Sequence, residues 1–188
     1  DNLVGVTNPD ITFVSLMGLL NRADPTQPVD VCVRLAALTS GKANLLPAPF
    51  VVDDKDACNI ILNQRLVKET LETAQSADYA ITSVGECRDG AVLFESGLFT
   101  DQQIEQLRYN KVVADCCGVF FTADGAVADI PLNGCTPCAK PNQMPTTDIT
   151  LLAGGVSKSV ATLAVLRANF ADRLFVDEGL ARKLLEDS

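Results

Sequence analysis

The run Ile149-Thr150-Leu151-Leu152-Ala153-Gly154-Gly155-Val156-Ser157-Lys158 decides the fold class. An apolar, β-prone stretch closes on twin glycines, and a helical pattern opens at or just before Ser157 and continues to Asn169. A strand that ends in glycine and feeds a helix is one half of a βα unit, the building block of a parallel sheet. The same junction has a chemical reading. Gly154 and Gly155 let backbone N–H groups approach an oxyanion, the helix start adds partial positive charge, and Lys158 adds a full one. The spacing is neither that of a Walker loop nor of GxGxxG. A plain glycine turn with an exposed lysine fits equally well, so local sequence leaves both readings open.

Working outward, further strands are expected at 11–16, 43–46, 79–84, 118–121 and 173–176. Several are apolar on consecutive positions, the pattern of strands covered by helices on both faces. Helix signals fall between them. Pro28 and Gly41 bracket a helix whose Val29, Cys32, Val33 and Ala36 share a face. Asp53 reads as the cap of a helix beginning near Asp54, and a second pattern around 66–77 carries Val67, Leu71 and Ala74. Thr100-Asp101-Gln102-Gln103 is a capping box. Asp177 caps a last helix with Leu180, Leu184 and Leu185 turned inward. Residues 118–129 read as a hairpin turning at Ala123-Asp124-Gly125, and 131–145 as a surface loop rich in Pro, Asn and Cys. Together these predict a single α/β domain over 1–188, a doubly wound, Rossmann-like and mostly parallel sheet with helices on both faces. One stretch does not fit. Leu3-Val4-Gly5-Val6 resembles a strand, yet the next begins at Ile11, and parallel neighbours need a crossover of about a dozen residues. The favoured reading is that a loop and helix are missing between about Thr7 and Asn8.

The chain has 188 residues, 47% hydrophobic and 21% charged, which excludes a disordered segment. No apolar run reaches the roughly 18 residues of a membrane span. Asp1 in place of Met reads as a piece of a longer chain. Fifteen basic against 24 acidic residues give −9, which argues against this chain itself gripping nucleic acid, though not against a local basic pocket. The odd count of seven cysteines fits a reducing cytoplasm better than a stapled secreted domain. Cys135-Thr136-Pro137-Cys138 has zinc-like or redox-like spacing, but no histidine and no second close pair accompanies it. No metal site and no cofactor are expected. Without histidine the usual Ser–His and Cys–His machinery is also excluded, leaving carboxylate and lysine chemistry.

Ligands of open α/β sheets lie beyond the carboxyl ends of the strands. Four segments can border one such crevice: Met17-Gly18 with Asn21-Arg22, Val84-Gly85-Glu86, Asp115 and the Gly154–Lys158 junction. Asp115, placed just before the 118–121 strand in Val112-Val113-Ala114-Asp115-Cys116-Cys117, either pairs with a buried partner, accepts from ligand hydroxyls, or is a solvent-facing strand-end carboxylate.

In order and spacing these motifs resemble the sugar-binding domain of SorC-type bacterial transcriptional regulators, a group that includes the deoxyribonucleoside and central glycolytic gene regulators. The resemblance covers nearly the whole chain. It is carried by Arg22-Ala23-Asp24-Pro25, Leu45-Leu46-Pro47-Ala48-Pro49, Glu69-Thr70-Leu71 before Ala77-Asp78-Tyr79-Ala80, and Ser96-Gly97-Leu98-Phe99. It continues through Asp115–Phe121 with Ala123-Asp124-Gly125, Ala153-Gly154-Gly155 with Lys158, and Val176-Asp177-Glu178. The resemblance implies a phosphorylated-sugar effector, a dimer or tetramer, and operator DNA bound through an N-terminal helix-turn-helix outside this sequence. By position Asp115 matches the acid that holds sugar hydroxyls, and Lys158 with Gly154-Gly155 a phosphate contact. Met17, Gly18 and Gln27 lie where other members touch ligand. Gly85, Glu86 and Ser157 complete the candidate set. The family also uses a Gly-Trp-Gly-Thr-like phosphate loop after a strand similar to 3–6, the piece expected to be missing. Gly18-Leu19-Leu20-Asn21 stands where many members have Gly-Gly-Leu-Gly, and Met17 replaces a position that is basic in some. That more apolar rim disfavours a bisphosphate and favours a monophosphate or uncharged sugar. The competing reading is a sugar-phosphate isomerase or deaminase, with Asp115 or Glu86 as base and Lys158 as clamp or imine-forming amine.

Overall fold

The computed structural model describes residues 5–20 and 30–188. In chain order its elements are β1 (Thr12–Val14), α1 (Val31–Thr39), β2 (Lys42–Asn44), α2 (Lys55–Leu62), α3 (Arg65–Gln75), β3 (Tyr79–Ser83), β4 (Gly85–Glu86), α4 (Val92–Glu95) and α5 (Asp101–Tyr109). There follow β5 (Val112–Cys116), β6 (Val119–Thr122), β7 (Asp148–Ala153), α6 (Ser159–Arg167), β8 (Arg173–Val176) and α7 (Glu178–Asp187). Single 3₁₀ turns occupy Pro131–Gly134, Pro141–Gln143 and Val156–Lys158.

The α/β class and the parallel pairing are as the sequence predicts. β1 pairs with β2 in parallel, and β7 lies between β3 and β8, parallel to both. A third sheet, β4-β5-β6, is antiparallel. Its middle strand was not expected, and Asp115 lies inside it rather than ahead of a strand. Polar Asp115 and two thiols mask the strand in sequence. Its turn into β6 depends on Cys117 and Gly118 both taking positive φ, 51° and 75°, the geometry of a tight hairpin. The expected turn at 123–125 is also present, with the Gly125 N–H donating to the Thr122 carbonyl and Phe121 bridging Val127.

Coverage of the β3-β7-β8 sheet departs from expectation. Ala80, Ile149 and Leu151 are buried on one face, against α6 and α3. On the other face Tyr79, Ile81, Leu152 and Phe175 are 71%, 66%, 43% and 61% exposed. Among the described residues helices therefore cover this sheet on one side, whereas parallel sheets are ordinarily covered on both. Phe175→Ser is accordingly expected to change unfolding free energy by no more than about 0.5 kcal/mol, the figure for a surface position. A urea midpoint shift as large as that of a core truncation would show the face to be covered.

Smaller differences have local causes. Asp54, not Asp53, caps α2, accepting from the Ala57 N–H at 2.7 Å. Asp30 caps α1, and its left-handed terminator is Ser40 at φ 60°, not Gly41. Pro28 and Val29 lie outside the described residues, and Val33 is exposed. The Thr100 capping box and the Asp177 cap form as read. Leu180 and Leu184 are buried, but Leu185 is 79% exposed because it falls a residue off their face. The α6 helix ends at Arg167, short of Asn169, which turns left-handed. The 131–145 segment is not simply a surface loop, since Cys135 through Ala139 are buried in its middle. There Cys138 pairs with Met17, and Thr136 donates its hydroxyl to the Gly118 carbonyl at 2.7 Å.

Three apolar clusters hold these parts together. Phe99 meets Phe50 and Phe120 edge-on beneath α5, Phe121 meets Phe170 beside α6, and Leu46, Val67 and Ala74 pack with Ala80 and Ile149.

Candidate functional site

The site residues converge where β3 ends and bends into β4. Val84 lies at that bend and is fully buried. Its carbonyl accepts from the Lys158 ammonium at 2.8 Å. Lys158 projects from the turn that opens α6, so its position follows from the glycine junction after β7. The ammonium is half-buried and faces the strand ends, not open solvent. Next along the chain, Gly85 is the register partner of Asp115. A Cβ at Gly85 would stand 3.3 Å from Asp115 Oδ2, so glycine leaves room for that carboxyl group. Glu86 accepts from Arg88 Nε at 2.8 Å through Oε1 and from the Ser157 hydroxyl at 3.4 Å through Oε2. Lys158, Ser157, Gly85, Glu86 and Asp115 thus form one cluster.

Asp115 is 8% exposed and accepts from the Gly118 N–H at 3.0 Å. Burial pushes its pKa from 3.8 up to about 7, against the smaller downward pull of that hydrogen bond. Near neutral pH the group exists in both forms and can donate as well as accept. Because the native pKa is the higher one, the folded state binds the proton more tightly than the unfolded chain. The contribution to stability is therefore greatest below about pH 4 and is lost as pH rises toward 7. Asp115→Asn, which stays neutral, is expected to gain on the wild type between pH 5 and 8 by about 1 to 3 kcal/mol. Urea unfolding at the two pH values measures this, and a difference independent of pH would contradict the buried-acid assignment.

Thiols surround this corner. The Thr82 hydroxyl lies 3.0 Å from Cys117 Sγ and 3.8 Å from Cys116 Sγ. Burial raises the Cys138 thiol to about 12, with Cys117 and Asp115 adding to the push. All seven cysteines are free, and among the described residues no group of three His, Cys, Asp or Glu side chains is placed to hold a metal ion.

The remaining candidates are placed differently. Gly154 and Gly155 are exposed just past the end of β7. The Gly155 N–H, at φ 88°, is taken by Asp177 Oδ2 at 2.6 Å, while Asp177 Oδ1 accepts from Leu180 at 2.9 Å. These backbone donors hold the Asp177 carboxylate below its ordinary pKa, Gly155 contributing most. Sequence reading identified Asp177 as a helix cap and missed this second role, for which the only signal was its place after β8. Met17 is half-buried beside Cys138, and Gly18 is fully enclosed between the 47–49 and 137–138 segments. Gln27 lies outside the described residues. Two cavities open elsewhere. One of about 630 Å³ lies over Phe121, Ile149 and Phe170, and one of about 460 Å³ lies between α2, α3 and the 134–143 segment.

An α/β domain with a lysine, a buried acid and glycine-bearing strand ends at one corner belongs to the class of small-molecule binding domains. Residues 1–186 match the family model described as "Putative sugar-binding domain". The chain belongs to that family, the sugar-binding domain of SorC- and DeoR-type transcriptional regulators. It is 32% identical over 94% of its length to the erythritol catabolism regulatory protein EryD of Brucella abortus, covering 56% of that protein. It is 29% identical over 76% of its length to the deoxyribonucleoside regulator of Bacillus subtilis, covering 45% of it. The chain thus spans about half the length of the curated relatives it matches. Among solved structures it superposes on a DeoR family transcriptional regulator from Listeria monocytogenes with a TM-score of 0.84, at 26% identity over 96% of this chain and 72% of that one. The full-length sorbitol operon regulator SorC from Klebsiella pneumoniae, at 19% identity and a TM-score of 0.81 over 96% of this chain and 60% of that one, shares the fold. Among the described residues no helix is long and apolar enough to cross a membrane.

Proposed function

We propose that this domain senses a phosphorylated sugar, without transforming it, and passes the signal to operator-binding domains elsewhere in a cytoplasmic regulator that works as a homodimer or tetramer. The observation that carries this reading is the seating of the Lys158 ammonium on the Val84 carbonyl, beside Gly85, Glu86 and Asp115. In this reading Asp115 and Glu86 hold hydroxyls, and Lys158 with Ser157 faces the phosphate. Asp177 already occupies the Gly155 N–H, so a phosphate meets a carboxylate there and lies toward Lys158 instead. With Arg88 paired to Glu86, Lys158 is the cation left to face the phosphate, which suits a monophosphate better than a bisphosphate. The erythritol and deoxyribonucleoside relatives support a small polyhydroxylated effector.

The open face of β3-β7-β8 supports a Rossmann-like doubly wound arrangement completed by a crossover at 7–8, whose helix would cover Tyr79, Ile81, Leu152 and Phe175. The effector acts only through different affinities for two arrangements of the oligomer. Incubation with a panel of aldose, ketose and polyol phosphates tests the function. A saturable rise in melting temperature without turnover is expected. Turnover of any member would favour the isomerase or deaminase reading, and neither effect would leave a structural module.

A further inference from the structure

The cavity of about 460 Å³ between α2, α3 and the 134–143 segment is basic in an otherwise acidic chain. Three of the seven lysines, Lys55, Lys68 and Lys140, line it against a single acid, Glu72. Lys55 and Lys68 make no ion pair among the described residues, although the chain carries 24 acids. The nearby Asp54 carboxylate is occupied in capping α2. Lys140, which with Asn133 also lines the larger cavity, is fixed by its Nζ donating to the Asn133 carbonyl at 3.2 Å. Its charge reaches the Cys58 thiol in the cavity lining and opposes the upward push of burial there. The Lys55 stem lies along Gly134, where a Cβ would come 3.5 Å from its Cγ.

Lining one concavity with three lysines is unfavourable until an anion enters, and the recess focuses their field. Its volume falls in the range of small-molecule sites and exceeds that of one phosphate group. We propose that this cavity is a second site, separate from the Lys158 cluster, for a multiply charged phosphate-class anion such as an oligophosphate or a phosphorylated metabolite. Thr136 and Cys138, which line it, belong to the segment that bonds to Gly118 and pairs with Met17. That segment links the cavity to the Gly118 turn, whose N–H bonds to Asp115.

Calorimetric titration of the chain with inorganic pyrophosphate at low salt tests this. Saturable binding is expected, weakened about tenfold or more in the Lys68→Ala/Lys140→Ala double variant and changed less than about twofold in Lys158→Met. Affinity is also expected to fall as salt is raised. Circular dichroism checks that the double variant remains folded, as its exposed or half-buried side chains lead one to expect. No saturable heat with the wild type, or equal affinity in the double variant, would overturn the proposal. So would loss of all binding in Lys158→Met, which would place the anion in the effector cluster. Failure of sugar phosphates to bind at Lys158 would leave this result unaffected.

Discussion

Gly18→Ala is expected to destabilise the domain by about 3 kcal/mol, the upper end of the usual cost of forcing extra volume into a packed site. The added Cβ would stand 2.2 Å from the Pro49 carbonyl oxygen and 2.7 Å from that of Ala48. Both obstacles are backbone, so no side-chain rotation relieves them. Moving the backbone apart would disturb a chain of hydrogen bonds: Gly18 N–H to the Pro137 carbonyl at 3.1 Å, Leu19 N–H to Ala48 at 2.8 Å, and Phe50 N–H to Leu19 at 3.0 Å. Each such bond contributes about 1 kcal/mol net. Urea unfolding should show a large fall in midpoint, with Met17→Leu close to wild type as the volume-conserving control. The comparison also separates two roles for this glycine. A residue that only touched ligand would lose affinity on substitution and keep its stability, so an unchanged midpoint would remove the structural account.

Lys158→Met should do the reverse. The ammonium is half-buried, makes one bond to Val84, and is carried on an apolar stem that methionine largely reproduces. The midpoint is expected to move by less than about 1 kcal/mol, the net value of one such bond. Affinity for a sugar monophosphate should fall by about 10- to 100-fold, since a charge-assisted contact contributes about 1.5 to 3 kcal/mol. Affinity for the corresponding dephosphorylated sugar should change little, because the hydroxyls are assigned to Asp115 and Glu86. Calorimetry on both ligands checks this. Equal losses for the two, or none in a folded variant, would separate Lys158 from the phosphate.

The two glycine-bearing segments show why some of the site was readable in advance. At 149–158 the signal is local: an apolar strand, two glycines and a helix start lie consecutively in the chain, so backbone preferences alone place Lys158 at a sheet end. Gly18 carries no such signal. Its constraint comes from Ala48 and Pro49, some thirty residues away, and from Pro137, far later in the chain. Asp115 stands out in sequence as an acid in an apolar run, but its strand does not. The pairing that stabilises it comes from Gly85-Glu86 and from β6 on either side, not from its own neighbours in sequence.

Sequence by itself determined the α/β class, the expectation of parallel pairing, the Thr100 and Asp177 caps, and the family, because hydrophobic period, capping residues and glycine positions act within a few residues of one another. Only the tertiary structure decided that among the described residues no helix covers one face of the β3-β7-β8 sheet, that Asp177 takes the Gly155 amide, that Asp115 is buried enough to hold its proton near neutral pH, and that three lysines line one cavity. Those outcomes depend on contacts between segments distant in the chain. Distance, burial and field there are set by how the layers pack, which no local pattern encodes.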